Sequence, residues 1–430
     1  MPSVTMTATT QDAASGIPMS KIKIKTRQLP VGQGGLMIST ISSLDDAASR
    51  PFTFVFDCGS LNREHIGNGL DRLHTLDIDV LFISHLDADH ANGVDMLVQR
   101  GATIDTVVLP CLDPTTIAAC ILAEANGAGM TTEFDTLLRN PARWFGNRGV
   151  RRILYLQRPA PGSAPPSPDV IRNEIIRLGN PNRDSGLAVT LRTRSQRPVK
   201  ARSTGSAELI ELDADTVIDV ASLQDVATTL WTLVPYNHPF DDDLVDAFHA
   251  AAGTAIVRMP RATVHSSSTF AALLLRAIGD KEQRDVLKAC YRILDNDGNV
   301  PSLSLYSGPP VDDDTVKVSP RDFVRRAGWL TTGDAKLKAA WIRKPWLARY
   351  DAMFQKVGVF VLPHHGSNYS IDLSVLNKLS HAQMLSCAAS GSKKHPHKDV
   401  LKKLAALGIV HRVVSEKLAS EYWTGAIASV

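Results

Sequence analysis

The chain lacks the marks of several protein classes. It has no run of about 18 apolar residues, so no membrane-spanning helix is expected. Cysteine is scarce: Cys58, Cys111, Cys120, Cys290 and Cys387 are odd in number and have no short paired spacing. That argues against a disulfide scaffold and a cysteine zinc site, and it fits a reducing, cytoplasmic compartment. A net charge of +3 over 430 residues leaves no global polyelectrolyte signature. Nucleic acid is allowed by this balance but not announced. Residues 1–20 are rich in Thr, Ser and Ala and have no apolar h-region, so they read as a flexible tail rather than a signal peptide. No internal repeat is visible. What remains is an ordinary globular composition, 44% hydrophobic and 21% charged, without the bias of a disordered chain.

Against that plain background one stretch is dense in chemistry. Ile83-Ser-His-Leu-Asp-Ala-Asp-His-Ala-Asn-Gly93 places His85, Asp87, Asp89 and His90 directly after the apolar run Val80-Leu-Phe-Ile83, which reads as a buried strand. Carboxylates crowded together repel one another unless a cation joins them. Two imidazoles and two carboxylates at the end of a buried strand therefore point to metal.

The same device recurs. Trp329-Leu-Thr-Thr-Gly-Asp-Ala335 ends a strand on Asp334, in the place for a metal-bridging carboxylate. Val357-Gly-Val-Phe-Val-Leu-Pro-His-His-Gly-Ser-Asn368 ends one on His364 and His365, either of which would suit as ligand. Phe52-Thr-Phe-Val-Phe56 runs into Asp57, which would orient a ligand histidine from behind. A third ligand for the first metal is open between His265 and His238. Gly391-Ser-Lys-Lys-His-Pro-His397 offers Lys393, Lys394, His395 and His397 to a phosphate, with Ser367 beside them. One of the two histidines would protonate a leaving group.

Lys21-Ile-Lys-Ile-Lys-Thr-Arg-Gln-Leu29 alternates like a half-exposed strand and leads through Val31-Gly-Gln-Gly-Gly35 into a second, so a hairpin is predicted. A phosphate cradle at those glycines is the weaker reading, since no P-loop lysine follows. Residues 208–212, 217–220 and 231–235 read as strands of a second sheet. Arg148, Arg151 and Arg152 precede a proline-rich linker at 158–168; Arg192, Arg194, Arg197, Lys200 and Arg202 follow it, and either cluster would line a path for a polyanion. Strands alternate with helices in two halves, which suggests two packed sheets with helices outside.

The segment from His85 to His90 resembles the H-x-H-x-D-H motif of the metallo-β-lactamase superfamily, with Asp87 in place of the second histidine. This variant is similar to the soluble domain of ComEC-type DNA-uptake competence proteins. Val31-Gly-Gln-Gly34, Thr332-Gly-Asp334, Pro363-His-His-Gly-Ser367 and His395-Pro-His397 match in the same order, over residues 21–110 and 205–425. The resemblance implies an αββα sandwich and a dinuclear site with phosphodiester or DNA hydrolysis. Pro30 departs from it, standing where that family tends to be acidic. The sandwich is expected over 21–430, with insertions at about 111–205 and 279–326.

The function this supports is hydrolysis by a metal-activated hydroxide at a pair of divalent ions, Zn or Mn. His85, Asp87, Asp89, His90, Asp334, His364 and His265 would be ligands, and Asp89, His395 and His397 the catalytic groups. Hard carboxylate ligands tilt the choice toward Mn²⁺ alongside Zn²⁺. The alternatives are a metallohydrolase of a small ester, amide or lactone, and a non-catalytic partner-binding protein with a vestigial site.

Overall fold

The computed structural model describes residues 21–429 except 47, 74–76, 113–115, 117–135, 139, 160–173, 180–184, 194–195, 200–206, 224–225, 241, 258–280, 295–301, 312–315 and 319–324. The expected tail at 1–20, most of the linker at 158–168, and the helix and core strand read at 114–139 and 272–278 lie wholly or largely outside the described residues.

β1 (Lys21–Gln28) exposes its lysines and buries Ile22 and Ile24. It pairs antiparallel with β2 (Gly34–Ser43), giving the predicted hairpin, and β2 continues to β3 (Phe52–Ser60). α1 (Arg63–Leu70) then carries the chain back, so β4 (Asp77–Phe82) lies parallel to β3. After α2 (Ala88–Ala91) and α3 (Val94–Gln99), β5 (Thr103–Pro110) joins β4 in parallel. α4 (Pro141–Gly146) precedes β6 (Arg152–Leu156), which pairs parallel with β5.

Next come β7 (Glu174–Arg177), β8 (Leu187–Thr193), β9 (Gln196–Val199), β10 (Glu208–Leu212), β11 (Val217–Ser222) and β12 (Thr229–Asn237). β10 pairs with β6 and belongs to the first sheet, whereas β11 and β12 belong to the second. An apolar run declares burial but not the layer it enters, so the sequence pattern assigned all three to one sheet.

α5 (Asp242–Val257) and α6 (Lys281–Leu294) lead to β13 (Leu303–Gly308), β14 (Lys317–Val318) and β15 (Gly328–Thr331). α7 (Ala340–Tyr350), β16 (Val357–Val361), α8 (Leu373–Lys378), β17 (Gln383–Cys387), α9 (Lys398–Ala406), β18 (His411–Val414) and β19 (Tyr422–Ser429) complete the order. Among the described residues the first sheet has ten strands, β14-β19-β1-β2-β3-β4-β5-β6-β10-β9, and the second nine, β18-β17-β16-β15-β13-β12-β11-β8-β7.

The two stretches expected as insertions contribute strands to the sheets. β6 and β8 come from 111–205, and β13, from 279–326, sits between β12 and β15 inside the second sheet.

Three apolar layers hold the molecule. Phe54 of β3 and Phe82 of β4 share a core with Trp231 of β12, Leu305 of β13 and Val359 of β16, so the two sheets pack face to face. On the outer face of the first sheet, Val55, Leu81 and Val107 pack with Leu97 of α3, Phe248 of α5 and Leu287 of α6. On the outer face of the second, Leu330 and Phe360 pack with Trp346 of α7, Leu376 of α8 and Leu404 of α9. The protein is an α/β chain in an αββα sandwich, the architecture its sequence resemblance implies. Among the described residues no helix is long and apolar enough to cross a membrane.

Candidate metal centre

Each candidate ligand comes from a loop at the end of a buried strand, where a chain leaving a parallel sheet opens a crevice. Ser84 and the buried His85 follow β4; Asp87 enters α2, and its single turn carries Asp89 and His90. The rings of His85 and His90 lie 4.1 Å apart. Asp334, following β15 in the other sheet, meets them: Oδ1 is 3.3 Å from His90 Nε2 and Oδ2 is 4.0 Å from His85 Nε2. Asp87 Oδ2 lies 3.6 Å from His85 Nε2.

The histidine pair after β16 divides its labour. His365 is buried, with Nε2 3.2 Å from Asp89 Oδ2. His364 is partly exposed, with Nε2 3.7 Å from Asp334 Oδ2. The geometry defines two overlapping candidate sets, His85 with His90 and Asp334, and Asp89 with His90 and His365. Of the pair left open by the sequence, His365 enters a set and His364 flanks it.

The backbone is bent to achieve this. Asp57, His364 and His365 all take left-handed φ values, 59°, 49° and 57°. Each such residue costs on the order of 1–3 kcal/mol and persists where its surroundings hold it. Asp57 is held by Ser84, whose N–H and hydroxyl reach its carboxylate at 2.7 and 2.9 Å. The His364 N–H donates to the Gly333 carbonyl at 3.0 Å, tying two ligand loops together. Gly333 has φ +51°, and a Cβ there would stand 2.6 Å from that of Ser84.

The glycine-rich turn has a steric purpose. A Cβ on Gly34 would lie 2.9 Å from the Asp89 carbonyl, and one on Gly59 would lie 2.6 Å from the His90 nitrogen. These residues let β2 and β3 approach the turn bearing Asp89 and His90, which favours the turn-geometry reading over a phosphate cradle.

The electrostatics are those of a cation site. His85 Nε2, His90 Nε2, Asp87 Oδ1 and Asp334 Oδ1 are buried and have no hydrogen-bond partner. Burial alone would push His90 toward neutrality, yet Asp57, Asp334 and Asp89 raise its pKa well above the usual imidazole range. His85 is raised too, with burial and His90 opposed by Asp87 and Asp334. Asp89 falls to about 2: burial opposes the shift, and His90 and His365 drive it. Asp334 is held well below the usual carboxylate range against burial, chiefly by His364 and His90. A field that draws a proton onto His90 favours any cation at the same place.

Two groups escape sequence reasoning. Ser302, just before β13, lies 3.3 Å from His85 Nδ1 and accepts the Asp334 N–H at 3.1 Å. Ser84 Oγ lies 3.0 Å from His85 Nδ1. Both are single serines without a motif; only their adjacency to a ligand or to a buried strand marked them.

The remaining predicted residues fare differently. His395 comes close, its ring 5.3 Å from that of His364, and burial takes its pKa down to about 4. His397 instead caps α9, its Nδ1 accepting the Asp399 N–H at 3.2 Å, so a catalytic role loses that nitrogen. Lys393 and Lys394 are exposed on the loop. Ser367 is buried, and its hydroxyl accepts the Tyr369 N–H at 3.3 Å. His238 is fully buried with Nε2 2.7 Å from Ser304 Oγ, is kept neutral by burial with a pKa of about 3, and joins neither set. His265 lies outside the described residues.

Of the basic clusters, Arg148 pairs with Asp95, Arg151 with Asp105, Arg152 with Glu208 and Arg192 with Asp219. The first cluster is thus matched by carboxylates of the protein itself, as is Arg192 of the second. Arg194, Lys200 and Arg202 lie outside the described residues.

No family model matches the chain, and no curated protein matches it. Among solved structures it is similar to human tRNase Z, short form (ELAC1), at 10% identity over 91% of each chain with a TM-score of 0.30. It is also similar to unliganded yeast PDE1, at 10% identity over 96% of this chain and 100% of that one, with a TM-score of 0.35. At these scores the fold rests on the sheets and layers described above, and the chemistry on the site.

Proposed function

We propose that this protein is a metal-dependent phosphodiesterase acting at a dinuclear centre, with a nuclease as the particular form. The observation that carries this is the convergence of four buried ligand atoms, from His85, Asp87, His90 and Asp334, which crowd one place without a well-formed hydrogen bond among them. Buried polar groups are otherwise nearly always paired, and a pair of cations satisfies all four. His85, His90 and Asp334 would hold one ion and Asp89 and His365 the other, with Asp87 beside His85 and His364 beside Asp334. Three carboxylates favour Mn²⁺ or Zn²⁺ over softer ions. When bound, two such ions lower the pKa of water from about 15.7 toward about 7 and polarise a phosphoryl oxygen.

The chain's own groups do the rest. Asp57 holds Nδ1 of His90 at 2.8 Å, which leaves Nε2 for the ligand sphere. Ser302 and Ser84 do the same for His85. His395, whose buried Nδ1 has no hydrogen-bond partner and whose ring is kept neutral by burial, would offer an N–H to a phosphate oxygen. Lys393 and Lys394 add positive charge at the mouth. The sequence likeness to the competence-protein domain supports the same reaction.

The test is metal analysis of the purified protein followed by a substrate panel. Bound Zn²⁺ or Mn²⁺ with cleavage of bis-p-nitrophenyl phosphate, and none of nitrocefin or lactones, is the expected result. An Asp89→Ala, His90→Ala double variant that still cleaves the diester at the wild-type rate overturns the proposal.

A further inference from the structure

The turn that delivers His364 and His365 also displays an aromatic ring. Tyr369 is 63% exposed, among the most exposed large hydrophobic side chains of the described residues. Single exposed aromatics are common, but this one is fixed in place. Its N–H donates to Ser367 Oγ, and its neighbours Ser367 and Ser370 are both buried. Ser370 Oγ lies 3.4 Å from His364 Nδ1, so the backbone beneath the ring is tied to the proposed centre. Asn368, before it, is held from two sides: its carbonyl accepts from Lys338 Nζ at 3.4 Å and its side chain from Lys403 Nζ at 3.3 Å.

Lys338 Nζ also stands 5.7 Å from the centroid of the Tyr369 ring. The rim of the site on this side therefore combines an anchored aromatic with lysines, and the exposed Lys393 and Lys394 directly precede His395 on the adjoining loop. An aromatic face beside cations, next to a phosphodiester-cleaving centre, is the arrangement by which proteins hold single strands: bases stack and phosphates meet the lysines. A lipid or sugar phosphodiester has no planar base to place there. A duplex keeps its bases stacked on one another.

We propose that Tyr369 is a base-stacking platform and that the substrate class is single-stranded nucleic acid. This rests on the phosphodiesterase reading of the centre and narrows it.

The test uses the metal-loaded full chain and short fluorescent oligonucleotides with cleavage-resistant phosphorothioate linkages, read by anisotropy. The base-bearing single strand should bind more tightly than an abasic strand of equal length and than the duplex. Tyr369→Ala should weaken the base-bearing strand about tenfold, the effect of losing one stacked base, and leave the abasic strand nearly unchanged. Tyr369→Phe should keep the advantage. Equal binding of base-bearing and abasic strands by the wild type, or an unaltered affinity in Tyr369→Ala, overturns the platform. Hydrolysis of bis-p-nitrophenyl phosphate by the wild type separates the two ideas. If the wild type cleaves it and the Tyr369 effect is missing, only the platform fails. If it does not cleave it and the Tyr369 effect is present, the platform stands as a binding site and the phosphodiesterase reading fails.

Discussion

Asp57 stands behind His90 with Oδ2 2.8 Å from Nδ1, while Nε2 on the far side of the same ring faces Asp334 at 3.3 Å. One carboxylate thus fixes the ring whose opposite edge is offered to the centre. Asp57→Asn tests this cleanly, because Asn tolerates the left-handed backbone found at residue 57. It removes the charge and replaces one acceptor with a donor. The expected outcome is a folded protein whose metal affinity, measured by competition with a chelator, falls about 10–100-fold. Wild-type affinity in this variant would show that the contact is incidental.

Metal should act as a stabiliser. Asp89 and Asp334 fall in the two candidate sets and Asp87 lies beside His85, and carboxylates crowded in this way repel one another until a cation joins them. Adding Mn²⁺ or Zn²⁺ to the chelator-treated protein should raise the melting temperature. The gain is about 2.7 kcal/mol when free metal is about 100 times its Kd. Differential scanning fluorimetry across a metal titration reads it, and a flat response counts against a native site.

Gly59→Ala should damage the centre without touching a ligand. The added methyl would meet the backbone at the Asp89–His90 junction at 2.6 Å. Backbone cannot swing aside as a side chain does, so the turn must shift. Overpacking of this kind costs about 1–3 kcal/mol, and metal affinity should fall together with the melting temperature. A variant that binds metal normally would mean that α2 relaxes freely.

Glu421 should make part of the stability pH-dependent. It receives Arg27 Nε at 2.7 Å and Arg72 at 2.5 Å, tying β1 and the end of α1 to the start of β19. Burial opposes ionisation there, but the two arginines outweigh it and hold the pKa below its ordinary 4.5. A depressed carboxylate stabilises fully above its unfolded value, and the contribution disappears as pH falls through the folded one. Glu421→Gln should therefore cost roughly 1–3 kcal/mol near neutrality, and the gap to wild type should close on acidification below 4.5. Urea denaturation at a neutral and an acid pH gives both numbers; a gap independent of pH would assign the effect to packing.

Much of this was legible in the chain because the ligand loops follow apolar runs. Val80–Ile83, Trp329–Leu330 and Val357–Val361 announce buried strands, and the polar residues after each one had to emerge together at a sheet end. Asp57 was legible for the same reason. The choice between His364 and His365 was not, because two consecutive left-handed residues set it and neither is a glycine. Ser302 was hidden in a stretch that looked inserted: the six residues of β13 are too short to stand out, although they occupy the middle of a sheet. The capping contact of His397 was not legible either, because a histidine in a Lys- and His-rich loop gives no sign that its ring nitrogen will satisfy the first turn of α9.

β19 lies between β14 and β1, with Ser429 opposite Lys21. During synthesis, β1 therefore waits with one edge open until the final strand of the described chain emerges. An unpaired edge invites strands from other molecules. Lys21, Lys23 and Lys25 line that strand with exposed charge, a protection against mispairing that matters most in the interval before the ribosome delivers its partner.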